Sequence, residues 1–277
     1  MHDLNNLLFT LLIYIGSFSA GLLGSLTGLG GGVIVVPMLT VLFGVDIHFA
    51  AGASLISVIA TSSGAASAYV KEGYSNIRIG MFLEIATTIG AVIGASIVGI
   101  ISVNAVSIIF AFILVYSALT TFLKKNEHVV HELDPIAQKL KLNGNYPVGD
   151  ELVSYNVQKV PQGFIMMIFA GVLSGLLGIG SGAAKVLAMD QIMKIPFKVS
   201  TTTSNFMIGV TAAASAGIYL KYGYIHAALV MPVMLGVLTG AFLGAKLLTF
   251  TSSKSLKIIF SVIILVMAYE MLKNGLK

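Results

Sequence analysis

Lys185 is the residue with the most chemistry to explain. It follows the run Gly178-Ile-Gly-Ser-Gly182 by three positions and lies inside sequence that is apolar on both sides. An ammonium near the centre of a bilayer costs at least about 2.5–3.5 kcal/mol on insertion scales, so such a residue is a functional candidate by default. Glycines at alternate positions let the backbone turn sharply, take positive φ and present N–H groups to a close ligand. Gly180, Ser181, Gly182 and Lys185 therefore read as an anion site at the first turn of a short helix, where the helix dipole also favours negative charge. The structural alternative is that Lys185 snorkels to an interface or pairs with an acid such as Glu84. A Lys185→Met change is expected to remove the charge and leave folding intact.

An earlier copy of the motif, Gly28-Leu-Gly-Gly-Gly32, makes Gly30, Gly31 and Gly32 candidates too, with Val35 at the place of Lys185. A second polar cluster, Thr201, Thr202, Thr203, Ser204 and Asn205, begins the next apolar segment, and Ser54 matches Ser204 in the first copy. Hydroxyls and an amide at a helix start suit oxyanion binding and N-capping equally. Ser181 as the nucleophile of an intramembrane hydrolase needs a nearby base, and none of the five histidines lies in the interior of an apolar span. Glycine-lined backbone also serves channels. The paired broken segments favour a transporter over that reading.

The elements that position these residues must lie in a lipid bilayer. Hydrophobic residues are 57%, charged residues 10% and the mean hydropathy is +0.96, more apolar surface than a soluble chain of this length can hide. The net charge of +5 is spread over loops, without the basic stripe that nucleic acid requires. The absence of cysteine excludes thiolate metal sites and Cys nucleophiles. His128 and His131, with Glu127, Glu132 and Asp134, read as a solvated charged loop, so no metal and no cofactor is expected. The first apolar run, Leu7 to Leu26, lacks a basic leader and reads as a retained span.

Sliding the chain by 150 residues aligns Gly21–Ala95 with Gly171–Ala245 without a gap, and 19 of 75 positions are identical, among them Thr61/Thr211 and a shared Tyr-x-Lys-x-Gly-Tyr. Residues 1–123 and 161–277 thus read as two homologous transmembrane halves, joined by a polar linker, 124–160. Each half divides into about five segments. The first gives Leu7–Thr27, Val33–Phe43, Phe49–Val70, Ile77–Ile101 and Ala105–Leu123; the second gives Gly163–Gly178, Ala183–Ile195, Val199–Leu220, Ile225–Leu248 and Leu256–Leu272. The second segment of each half is too short to cross a core of about 30 Å, so each glycine turn lies at membrane depth, where non-helical backbone is tolerated only if buried or lining a cavity. The fold class expected is an all-α polytopic membrane protein with glycine-broken helical hairpins. Gly90-x-x-x-Gly94 and Gly240-x-x-x-Gly244 are expected at close helix contacts. In the linker, Asn143-Gly144 is expected to turn a hairpin between Lys139–Leu142 and Asn145–Val148.

An odd number of crossings per half makes an inverted repeat. It places twelve Lys and Arg on one side and three on the other, Lys185 being the sixteenth. The positive-inside rule then puts the linker in the cytoplasm and both termini outside a multi-pass protein of the plasma membrane.

The doubled Gly-Leu/Ile-Gly-x-Gly after an apolar run, the Ser/Thr-rich helix start and the two-half layout resemble the sulfite exporter TauE/SafE family of membrane permeases. Pro37 after Gly28–Gly32 fits that pattern; Ser181, Lys185 and Leu187 depart from it. The resemblance implies transport of a small sulfur-containing anion such as sulfite or an organosulfonate, coupled to an ion gradient, with proton or sodium as the coupling ion.

Overall fold

The computed structural model describes residues 2–71, 73–98, 134–148 and 151–276, with scattered positions between 102 and 119. The expected fifth segment, Ala105–Leu123, is described only at some of these positions, and Glu127, His128, His131 and Glu132 lie outside the described residues.

The described chain is built mainly of helices. In order they are α1 (His2–Thr27), α2 (Gly32–Pro37), α3 (Ile47–Lys71), α4 (Ile77–Ser96), α5 (Pro135–Lys139), then strands β1 (Gly144–Val148) and β2 (Glu151–Tyr155), followed by α6 (Val160–Leu177), α7 (Gly182–Leu187), α8 (Phe197–Lys221), α9 (Ala227–Phe250) and α10 (Ser253–Gly275). Among the described residues, four stretches are long and apolar enough to span a bilayer: Leu7–Thr27, Ile77–Ser96, Val160–Leu177 and Ala227–Leu247. Their outward faces carry Leu8, Leu12, Ile85, Ile89, Phe169 and Phe242, all well exposed. So much uncovered apolar surface calls for lipid rather than water.

Both short helices continue into a π-helical turn, Met38–Leu42 and Ala188–Ile192. Pro37 precedes the first and Leu187 the second, so the π turn does not depend on proline. Each short limb folds back along the helix before it. A Cβ at Gly16 would strike Met38 Sδ, and one at Gly163 would strike Met193 Sδ.

Contacts recur at the 150-residue offset with the two copies exchanged. Gly90 and Gly94 on α4 lie against the carbonyls of Ile168 and Val172 on α6, and Gly240 and Gly244 on α9 against those of Phe18 and Leu22 on α1. A Cβ at any of the four would overlap or crowd backbone, the close packing that small-xxx-small spacing signals. Thr202 Oγ1 donates to Tyr74 O at 2.9 Å, and Gly52 packs on Tyr224 O, the same contact from the other copy. Along α1/α9, α4/α6 and α4/α8 the contacting residue numbers rise together. Along α3/α8 they run in opposite senses, with Ser62 beside Phe206 and Gly209 while Ile47 and Ala51 share a crevice with Tyr219.

The linker corrects one expectation. Lys139 ends α5, and the hairpin pairs β1 with β2, closing at Val148↔Glu151 rather than at Asn143-Gly144. Asn143 is occupied elsewhere, its Oδ1 accepting from Val157 N at 2.9 Å. Asp134 caps α5, accepting from Ile136 N and Ala137 N at 2.8 and 3.2 Å. The linker also clasps the α3–α4 turn: Asn76 Nδ2 donates to Leu142 O at 3.0 Å and to Tyr155 Oη at 2.8 Å, and Arg78 donates to Lys141 O at 3.4 Å. Burial pushes the Tyr155 phenol up to about 12, against the hydrogen bond from Asn76, which pulls it down. Because the folded-state value is raised, its stabilisation holds below pH about 10 and is lost as pH rises from there through about 12. A 295 nm titration is expected to lose this late phase in Tyr155→Phe; a late phase that persists would assign it to another tyrosine.

Candidate anion site

The two glycine turns touch. Gly28, Gly30 and Gly31 take φ of 76, 77 and 72°, and Gly178 and Gly180 take 68 and 78°, values that L side chains rarely adopt. A Cβ on Gly182 would overlap Gly28 O and stand 2.7 Å from Leu29 Cα. The equivalent Cβ on Gly32 would stand 3.1 Å from Ile179 O and 2.6 Å from Ser54 Oγ. Backbone from both copies therefore meets at one buried crossing.

Two serines flank it. Ser204 Oγ donates to Gly28 O at 2.9 Å, with Gly182 O at 3.4 Å, and so bridges both turns. Its counterpart Ser54 is buried beside Gly32, and its Oγ bonds to no described protein group; Ser181 Oγ is in the same condition. Asn205 Nδ2 donates to Ser25 O at 2.6 Å, one turn before the first glycine break.

The structure does not bring every expected residue to the crossing. Thr201 Oγ1 donates to Lys198 O, Thr202 Oγ1 to Tyr74 O and Lys198 O, and Thr203 Oγ1 accepts from Asn76 N at 3.1 Å. These hydroxyls serve the start of α8 and the neighbouring loop.

Lys185 has its own pocket. Its Nζ lies 3.3 Å from Glu84 Oε2 and 2.5 Å from Thr211 Oγ1, and Thr211 Oγ1 lies 2.5 Å from Glu84 Oε1. Thr88 Oγ1 also donates to Glu84 Oε1, at 3.3 Å. The acid named as a structural partner is thus the one in contact, and Lys185→Met would strand it, contrary to the expectation that folding would be unaffected. Thr211 follows Ser204 by two helical turns, about 10 Å along α8, so the ammonium sits near the glycine crossing but hydrogen-bonds to none of Thr201–Asn205. Thr211 was visible beforehand only as one of the repeated identities; its partnership with a residue 127 positions away left no periodic signal.

Ser181 takes φ 53°, where its equivalent Gly31 has 72°. A left-handed non-glycine residue costs about 1–2 kcal/mol, and among the described residues the hydroxyl has no hydrogen-bond partner in return. Ser181→Gly is therefore expected to raise unfolding stability by about 1 kcal/mol, and to lower anion affinity if the site binds one. Unfolding in detergent with and without anion checks this; a variant less stable than the parent would show that the serine is structural.

Among the described residues no cluster of His, Cys, Asp and Glu is suited to a metal.

The family model for the sulfite exporter TauE/SafE family matches residues 13–271. The chain belongs to that family. Similar proteins include the probable membrane transporter protein YunE of Bacillus subtilis (strain 168), 26% identical over 275 residues, covering 97% of this chain and 98% of that one. The probable membrane transporter protein YdhB of the same organism is 28% identical over 237 residues, 85% of this chain and 89% of the relative. The probable membrane transporter protein MJ0441 of Methanocaldococcus jannaschii is 26% identical over 281 residues, 96% of each. No solved structure matches.

Proposed function

We propose that this TauE/SafE family member is a secondary transporter for a small anion, sulfite or another sulfur-containing or organosulfonate anion, working by alternating access. The observation that carries this reading is the meeting of the two glycine-broken hairpins, with Ser54 and Ser204 on either side and a lysine whose ammonium reaches Thr211, two helical turns beyond Ser204. Broken helices meeting at membrane depth are how such transporters build a site from backbone and a few polar side chains. Gly30, Gly31, Gly32, Ser54, Gly180, Ser181, Gly182, Ser204 and Asn205 would line it, and Lys185 would supply the charge; Thr201, Thr202 and Thr203 would hold the loop behind it.

The same reading makes residues 1–123 and 161–277 an inverted pair. Its support is that α3 and α8, equivalent at the 150-residue offset, run in opposite senses, whereas each copy's first helix runs alongside the other copy's fourth. With the Lys and Arg division, the linker 124–160 faces the cytoplasm and both termini lie outside the plasma membrane. Cysteines placed at the exposed Leu152 and Leu276 should be labelled from opposite faces of sealed vesicles. Labelling from one face would end the inverted arrangement.

A thermal-shift screen of purified protein against sulfite, sulfate, thiosulfate, sulfoacetate and simple carboxylates tests the substrate class, since a bound ligand stabilises by mass action. A shift of about 2.7 kcal/mol is expected at a hundredfold excess over Kd. Saturable counterflow in proteoliposomes should follow for the same anion. Stabilisation by none of these anions would remove the anion reading.

A further inference from the structure

The Glu84–Lys185 pair has an uncharged twin. At the 150-residue offset Lys185 corresponds to Val35 and Glu84 to Met234, while Thr211 corresponds to the identical Thr61. Each half supplies one of the two charges and neither equivalent position is charged, so the counterpart residues Val35, Thr61 and Met234 carry no ion pair. Breaking a buried ion pair is costly, but the intact pair contributes little beyond an apolar replacement of similar volume. Stability therefore does not account for it. The two members also differ in access: the Lys185 side chain is fully buried, whereas that of Glu84 keeps 10% of its surface exposed, beside the half-buried Thr88.

We propose that Glu84 is the proton-coupling residue, taking up one proton each time Lys185 leaves it to pair with the substrate anion. This rests on the reading that Lys185 receives the anion. With the anion bound, one ammonium faces two negative groups in a pocket of low dielectric, and like charges at such range force one acid to neutralise. Sulfate, thiosulfate and sulfonate groups are weaker bases than a carboxylate, so with a substrate of that kind the proton goes to Glu84. It comes from water on the loading face and adds to a carboxylate oxygen. When the anion leaves on the opposite face, the same proton returns to water there and Glu84 rejoins Lys185, which keeps its three protons throughout. The neutral carboxyl also finds a partner in place, because Thr211 Oγ1, now 2.5 Å from Oε1, can accept as well as donate.

The surroundings leave few rivals for the proton. In contact with Glu84 are Lys185 of α7, Thr211 of α8, and Thr87 and Thr88 of α4 itself, while α6 packs on α4 at Thr87 and Gly90 through Ile168, Gly171 and Val172. Lys185 is the charged group among the described residues in contact with it. The other ionisable groups on or beside these elements are Arg78, six positions before Glu84 and bonded to Lys141 O, Lys198 and Lys221 near the two ends of α8, Asp190, five positions beyond Lys185, and Tyr219, whose hydroxyl is committed to the carbonyls of Gly175 and Leu176.

The experiment is calorimetry on the purified full-length protein with sulfate, thiosulfate and sulfoacetate, whose own charges stay constant between pH 6 and 8. Heats measured in two buffers of different ionisation enthalpy should report about one proton taken up per anion bound. Affinity should fall about tenfold per pH unit on the alkaline side of the range. Glu84→Gln should bind anion at every pH with no proton taken up and a flat profile. Wild-type binding with no proton uptake would overturn this inference and leave the anion reading standing, as would an unchanged pH slope in Glu84→Gln. Absence of any anion binding to the wild type would overturn both. The wild-type measurement stands by itself even if the variant does not fold.

Discussion

Lys185→Met should lose about 3–5 kcal/mol of stability, the range for removing one partner of a buried ion pair, and should abolish anion-dependent stabilisation. The loss arises because Glu84 would have either to stay a buried carboxylate with only Thr88 and Thr211 to serve it or to take up a proton from water without the compensation that a bound anion gives. The informative companion is the double change Glu84→Met with Lys185→Val, which installs the residues found at the equivalent positions, Met234 and Val35. It should recover most of the stability, since a well-packed apolar replacement of a buried pair is often neutral or better, yet remain unable to bind the anion. Denaturant unfolding in mixed micelles, with and without anion, measures both quantities. A Met variant as stable as the parent, or a double variant as unstable as the single one, would show that the ion pair is not what the energetics of this pocket turn on.

Gly182→Ala is the second large effect. The added methyl would overlap Gly28 O and crowd Leu29 Cα, both backbone atoms of the other glycine turn, so no side-chain rotation relieves the clash. A cost of about 1–3 kcal/mol is expected from overpacking alone, together with loss of transport, because the crossing has to open by that amount. Gly30 and Gly180 are poorer tests, since their φ of 77 and 78° strain any substituent whatever the space around it. Gly217→Ala provides the control. It lies within α8 with nothing within 4 Å of the new Cβ, and should gain about 0.5–1 kcal/mol from helix propensity. If Gly182→Ala unfolds like the parent while Gly217→Ala does not stabilise, the contact between the turns is looser than described.

What could be read beforehand was whatever the chain writes locally or repeats. Alternating glycines inside apolar sequence announce a turn because few other residues adopt positive φ, and the constant offset announced the copies. The offset also carried more than it was asked for: it predicts which contacts recur, so Gly28 against Thr201 implies Gly178 against Ala51, and both are present. The linker hairpin was misplaced because Asn143-Gly144 is a strong local turn signal, yet Asn143 is engaged by Val157 instead. Lys185 and Glu84 were each conspicuous as charges in apolar sequence. That they meet depends on how α4, α7 and α8 pack, which no local pattern encodes, and the role of Thr211 follows only from that meeting.

The clasp between the linker and the α3–α4 turn bears on how the molecule rests. The turn before α9, equivalent to the clasped one, borders a cavity of about 520 Å³ walled by Phe9, Phe49, His226 and Leu229, whereas the cavity at the clasped turn is about 250 Å³ and includes linker residues Asn143, Asn145 and Tyr155. Ring contacts such as Phe49 against His226, 5.3 Å between centroids, can slide with little loss. The hydrogen bonds from Asn76 and Arg78 have no such tolerance and would have to break for this turn to move, each at about 0.5–1.5 kcal/mol. Two halves of similar design thus end in locks of unequal strength. Under the proposed alternating access, such an imbalance would leave the direction of net flow to the gradients, but it would set which face an idle molecule shows and give the two faces different half-saturation concentrations for the same substrate.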